Sequence, residues 1–129
     1  MAQVQPLFQG KTYTLTRALS FLDRQDLPAE HVADLVEGGR LCARQGLDVL
    51  SSGRPEPDLR RAVTALAELS LKFLDRAQSR VNESDRTDRD YLEREGVLTR
   101  LDEARTEYRQ FHRWAGNMPD GTQETVFLA

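Results

Sequence analysis

The sequence predicts a mainly α chain: a small antiparallel helical bundle of three long helices and one short one, with extended segments at both ends. Three observations carry that expectation. Through residues 16–116 apolar side chains recur at three- and four-residue spacing, the period that lines one side of a helix. Within that stretch proline is confined to Pro28 and to the loop Ser51 to Pro57, which also holds Gly53, and these points cut it into separate helices. Strict alternation of apolar and polar residues is confined to the two ends, where a period of two suits strands.

Residues 1–15 hold Val4, Pro6 and Phe8 alternating with polar residues, then Gln9-Gly10, then Tyr13 and Leu15. A short hairpin or an extended arm follows from that pattern. Thr14 or Thr16 is a suitable N-cap for the short helix, with Leu15, Ala18, Leu19 and Leu22 facing inward. It stops near Asp26-Leu27, because Pro28 disfavours helical geometry in the residue before it.

Pro28 suits the first turn of a second helix, expected to reach about Ser52. Its inward stripe includes Val32, Leu35, Val36, Val49 and Leu50. Gly39, Cys42, Ala43 and Gly46 share that side and form a shallow helix-packing groove. Glycine inside a helix costs about 1 kcal/mol relative to alanine, so three glycines (Gly38, Gly39 and Gly46) point to close approach of another helix. Ala62, Ala65 and Ala67 of the third helix are the expected neighbours. That helix starts at Pro57 or Asp58, runs to about Val81, and carries a broad stripe from Leu59 to Ala77.

After the polar break Asn82-Glu83-Ser84, one long helix is expected over residues 84–116. Ser84 serves as its cap, and Leu98, Leu101, Ala104, Tyr108, Phe111 and Ala115 line one side. The break lacks glycine and proline, so continuity between helices three and four is open. Met118-Pro119-Asp120-Gly121 reads as a turn, and residues 122–129 as a C-terminal strand or tail. At 129 residues the chain is expected to form a single domain.

Charged residues make up 30% of the chain, and a net charge of −3 lacks the basic excess of a broad nucleic-acid face. Arginine outnumbers lysine 16 to 2; its planar fork suits ion pairs between subunits, although a GC-rich coding sequence produces the same ratio. Cys42 is the sole cysteine, so no intrachain disulfide can form and a reducing compartment is indicated. No leader-like segment opens the chain, and no apolar run approaches the roughly 20 residues that span a bilayer. A cytoplasmic location, or assembly in the cytoplasm into a particle, is the expectation, with no membrane partner.

Chemistry is sparse. His31, His112 and Cys42 are scattered, without a CxxC, HExxH or ExxH spacing, and no metal or other cofactor is expected. The acidic run Asp85, Asp88, Asp90, Glu93 and Glu95 lacks the glycine of a calcium loop; its Asp85–Arg89 and Asp90–Arg94 spacings suit i,i+4 pairs on a solvated helix start. Phosphate-binding glycine motifs are missing, and Cys42 on an apolar stripe reads as a packed thiol. Trp114 near a helix end closes the core or offers a binding spot.

One pair invites a catalytic reading. Arg105 and His112, two helical turns apart, follow the Arg-then-His spacing within a helical bundle that resembles the active-site pattern of the HEPN ribonucleases. That resemblance covers eight residues and implies His112 as general acid or base on an RNA 2′-hydroxyl, with Arg105 stabilising the phosphorane-like charge. Thr106 stands where that family favours Asn, Asp or His. Separately, Phe8-Gln9-Gly10-Lys11-Thr12-Tyr13-Thr14-Leu15 resembles the opening of phage tail-assembly proteins, which would imply a virion-type role.

Val4, Leu7 and Phe8 at the front and Val126, Phe127 and Leu128 at the back are apolar residues on segments too short to fold alone. Such ends are tied down either within the chain or against a neighbour, and they are the expected partner-binding residues. The function expected from all of this is a non-enzymatic structural or adaptor subunit that self-associates or docks in a larger protein assembly. The alternatives are a small acidic helical chaperone for secretion or assembly, and the HEPN-like ribonuclease.

Overall fold

The computed structural model describes residues 13–52 and 56–116. Among them are five α-helices, α1 (Leu15–Leu22), α2 (Val32–Leu50), α3 (Glu56–Asn82), α4 (Arg86–Arg94) and α5 (Val97–Gly116), with a 3-10 turn at Ala29–His31. The helical-bundle class expected from periodicity is what is found. The extended segments expected at the two ends lie outside the described residues.

Helix α2 is the centre, with α1, α3 and α5 packed around it. Its composition explains the position. Eleven of its residues are buried, among them Val32, Leu35, Val36, Cys42 and Val49; a helix apolar on more than one side is stable only when covered on more than one side. Ser70 of α3 lies opposite Gly39, and Val63 lies beside Val49, so α2 and α3 run antiparallel. Arg40 and Arg44 reach Glu107, and Gly46 faces Phe111, so α2 and α5 run parallel. Reversal of direction between α3 and α5 is the task of α4.

The glycines of α2 set how closely its neighbours approach. A Cβ on Gly39 would lie 2.6 Å from the Leu74 side chain, and one on Gly46 would lie 2.2 Å from the Phe111 ring. Their neighbours are thus large side chains inserted against bare backbone, where alanines from α3 were expected; Ala65 is exposed. Gly38, placed off the groove by sequence, also packs tightly, with a Cβ position 2.7 Å from the Ala18 methyl. Ser70, fully buried, donates to the Gly39 carbonyl at 2.8 Å, a bond that the missing side chain permits.

Helix limits and one inward face differ from the sequence reading, and α1 ends at Leu22, short of Asp26-Leu27. Helix α2 begins at Val32, because Pro28 initiates a 3-10 turn rather than the helix itself. In α1 the buried residues are Ala18 and Phe21, while Leu19 is 46% exposed; Phe21 is turned inward by stacking on His31, with ring centroids 4.1 Å apart. The largest change is in residues 84–116, which form two helices.

Helix α3 does end at Asn82. The Ser84 hydroxyl donates back to the Arg80 carbonyl at 2.8 Å, and Asp85, rather than Ser84, caps α4 by accepting from the Asp88 backbone N–H at 2.8 Å. The second break falls at Gly96, whose φ of 80° is the left-handed conformation that glycine adopts freely. Leu92 explains the need for it. On an unbroken helix Leu92 would point roughly opposite to Leu101, nine residues or about 180° of rotation away. With the break, Leu92, Val97 and Leu101 all reach the core. Gly96→Ala should therefore cost about 1–2 kcal/mol from the left-handed backbone alone, read as a lowered urea midpoint with an unchanged slope.

Candidate functional site

Two surface features and two polar clusters stand out once the helices are in place. The first is a groove of about 370 Å³ between α3 and α5, lined by Val63, Ala67 and Leu71 on one side and Tyr108, His112 and Ala115 on the other. Small residues on both helices, Ala67 and Ala115, leave the hollow. Leu71 is 37% exposed beside it, and Trp114 near the end of α5 is 58% exposed. Burial, followed by the charge of Asp75, raises the Tyr108 phenol above its ordinary range. Its hydroxyl therefore remains a neutral hydrogen-bonding group at physiological pH. The second feature is a shallow depression of about 410 Å³ on α3, over Pro57, Arg60, Arg61, Thr64, Ala65 and Glu68. The two share Thr64 and Glu68, so they form one continuous face.

Arg105 and His112 both turn toward the α3 side of α5. Arg105 lies 3.8 Å from the Asp75 carboxylate, while His112 is exposed at the groove with its ring centroid 5.6 Å from that of Tyr108. A catalytic pair of the ribonuclease kind would need the guanidinium directed at a phosphate beside the imidazole. Here Arg105 lies at the outer limit of ion-pair distance from Asp75, whose side chain is 62% exposed.

The first polar cluster was not anticipated. Asp34 is only 4% exposed, yet it accepts from Arg17 Nε at 2.8 Å and lies 3.3 Å from His31 Nδ1. The buried carboxylate holds α1 and the 3-10 turn against the start of α2. Tyr13 packs against the same core, and burial, then the charges of Asp34 and Glu37, push its phenol up to about 12. The only signal in the sequence was a charged residue inside the apolar run Val32–Val36, three residues after a histidine. Asp34→Ala should remove the acceptor that ties Arg17 and His31 to α2, while the 56%-exposed Arg17 turns to water and His31 keeps Glu30 at 3.8 Å; the cost should be about 1 kcal/mol, measurable by chemical denaturation.

The second cluster joins α2 to α5. Glu107 accepts from Arg40 Nε at 2.6 Å and from Arg44 Nε at 2.9 Å, while Glu37 contacts Arg40 and Arg100 at 3.3 and 3.5 Å. Alternating charges of this kind fix the relative register of two parallel helices. Arg40, Arg44 and Arg100 serve here inside the chain, a use that the arginine excess in the sequence did not specify.

Gly39, Cys42, Ala43 and Gly46 are all buried. Burial pushes the Cys42 thiol up to about 11, so little thiolate exists at neutral pH. A disulfide reagent should modify Cys42 only as fast as the protein unfolds, and addition of denaturant should bring the rate to that of a free thiol. Among the described residues no cluster of three or more His, Cys, Asp or Glu could hold a metal ion. No described helix is long and apolar enough to cross a membrane. Val4, Leu7, Phe8, Val126, Phe127 and Leu128 lie outside the described residues. No family model matches the chain, and neither the curated proteins nor the solved structures contain a match to it.

Proposed function

We propose that the protein is a non-enzymatic helical subunit that self-associates, as a structural or adaptor component of a larger protein assembly of virion type or similar. The single observation behind this is the face formed by α3 and α5: an apolar groove continuous with a shallow depression, with exposed Leu71 in its wall. An exposed apolar hollow with a tyrosine in its lining, here Tyr108, is characteristic of protein contacts. The apolar residues of the two chain ends, Val4, Leu7 and Phe8 with Val126, Phe127 and Leu128, would add further contacts.

Size-exclusion chromatography with light scattering, from low-micromolar to millimolar protein, tests the proposal. A mass that rises with concentration is expected. A mass equal to one chain throughout would overturn it and favour the chaperone reading, in which the groove holds a partner's helix. Incubation with RNA beside a His112→Ala variant addresses the remaining alternative. Cleavage lost on substitution would replace the present reading with the enzymatic one.

A further inference from the structure

We infer that the partner on this face is a second copy of the chain, with the two α3 helices crossing antiparallel about a two-fold axis near Thr64 and Ala65. The inference rests on the self-association proposed above and specifies its geometry. Pro57, Asp58, Arg61, Thr64, Ala65, Glu68, Leu71 and Lys72 are all exposed, and their spacing places them on one side of α3. At the middle of this ridge stand two small side chains, Thr64 and Ala65, which allow a second helix to approach closely. The hollows beside it give a facing ridge somewhere to insert.

The charges along the ridge choose the register. In an antiparallel pair centred between Thr64 and Ala65, Arg61 of one copy falls opposite Glu68 of the other, and the symmetry produces that contact twice. Lys72 then comes within reach of Asp58, and Leu71 meets the ring of Pro57. Neighbouring registers are disfavoured. A centre two residues further on would set Arg61 against Lys72, and a centre one to two residues earlier would set Asp58 against Glu68. Like charges brought together this way act against the wrong pairing. Among the described residues Asp58, Arg61, Glu68 and Lys72 form no ion pair within their own chain, so pairing between copies breaks no internal contact.

The ridge from Pro57 to Lys72 is roughly 24 Å of helix, enough for an interface at the small end of the specific range. Association is therefore expected to be micromolar or weaker, and more salt-sensitive than an apolar interface would be.

Charge exchange in the full-length chain tests the inference. Arg61→Glu and Glu68→Arg, separately, each turn two attractive contacts into repulsive ones and should weaken association about tenfold or more. The double variant R61E/E68R should recover it. An equimolar mixture of the two single variants should form a heterodimer, because both cross-contacts are then opposite in sign. Both sites are exposed on a helix, so thermal melts should show each variant folded. As an independent readout, Ala65→Cys should yield a covalent dimer on mild oxidation, with buried Cys42 unreactive. Association that is indifferent to the exchanges would overturn the α3 pairing while leaving the proposed function in place. A chain monomeric at every concentration would overturn both. If only a variant lacking residues 122–129 associates, the chain's own C-terminal segment occupies the face and the inference is likewise overturned.

Discussion

Gly46→Ala should destabilise the protein by about 2–3 kcal/mol, although alanine is the better helix former by about 1 kcal/mol. The two effects oppose each other, and packing prevails because of what faces the site. A Cβ on Gly46 would lie 2.2, 2.3 and 2.8 Å from three atoms of the Phe111 ring. Phe111 is itself fully buried, in the smaller of the two core clusters, with Ala43, Val49 and Val63 around it. A ring held on all sides cannot swing away, so α5 would have to move from α2 as a whole. Phe111→Ala alone should cost about 3–5 kcal/mol through lost burial and the cavity left behind. Combined, the two changes should cost no more than Phe111→Ala by itself, because the clash disappears with the ring. Urea denaturation of the four proteins measures that coupling. An additive double variant would show that Gly46 and Phe111 do not meet. Gly116→Ala supplies the control: nothing lies within 4 Å of its Cβ position, and the change should be within about 0.5 kcal/mol of neutral.

Glu107→Gln is expected to cost about 2 kcal/mol at neutral pH and to remove part of the protein's acid sensitivity. Burial pushes the Glu107 carboxyl up, but the hydrogen bonds from Arg40 and Arg44 more than offset it and hold the group below its ordinary value of 4.5. The Arg40 side chain is 11% exposed; loss of the glutamate charge would leave that guanidinium leaning on Glu37 alone, at 3.3 Å. Because the folded carboxyl is the stronger acid, its contribution to stability is complete above the unfolded value near 4.5. It is lost as pH falls through the lower folded value. The wild-type protein should thus lose stability on acidification below about pH 5 more steeply than E107Q. Parallel stability profiles for the two proteins would mean that the ion pairs contribute nothing to the link between α2 and α5.

Much of the bundle was legible from spacing alone. The stripe Leu98, Leu101, Ala104, Tyr108, Phe111 and Ala115 is buried or half-buried in α5, since a period of 3.6 residues leaves little choice about which side of a helix faces the core. Pro28 and the loop before Pro57 marked boundaries for a similarly local reason. The break at Gly96 is not legible locally, because a single glycine within a helical pattern is tolerated at a cost of about 1 kcal/mol and does not by itself mark an end. What decides here is Leu92, whose need to reach the core is a fact about its neighbours. Asp34 was missed for the same kind of reason. Its partners are Arg17, seventeen residues earlier, and His31 across a turn, and no local rule predicts that a carboxylate on an apolar stripe will find them.

By itself the sequence determined that the bundle is helical, roughly where α3 lies, and which side of α2, α3 and α5 is apolar. Those properties follow from backbone sterics and from the rotation per residue, both local. The tertiary structure decided what fills the space over the glycines of α2, which arginines are committed to internal carboxylates, and which side of α3 remains exposed. Each of these depends on distances between residues remote in the chain, which are fixed only when the helices pack.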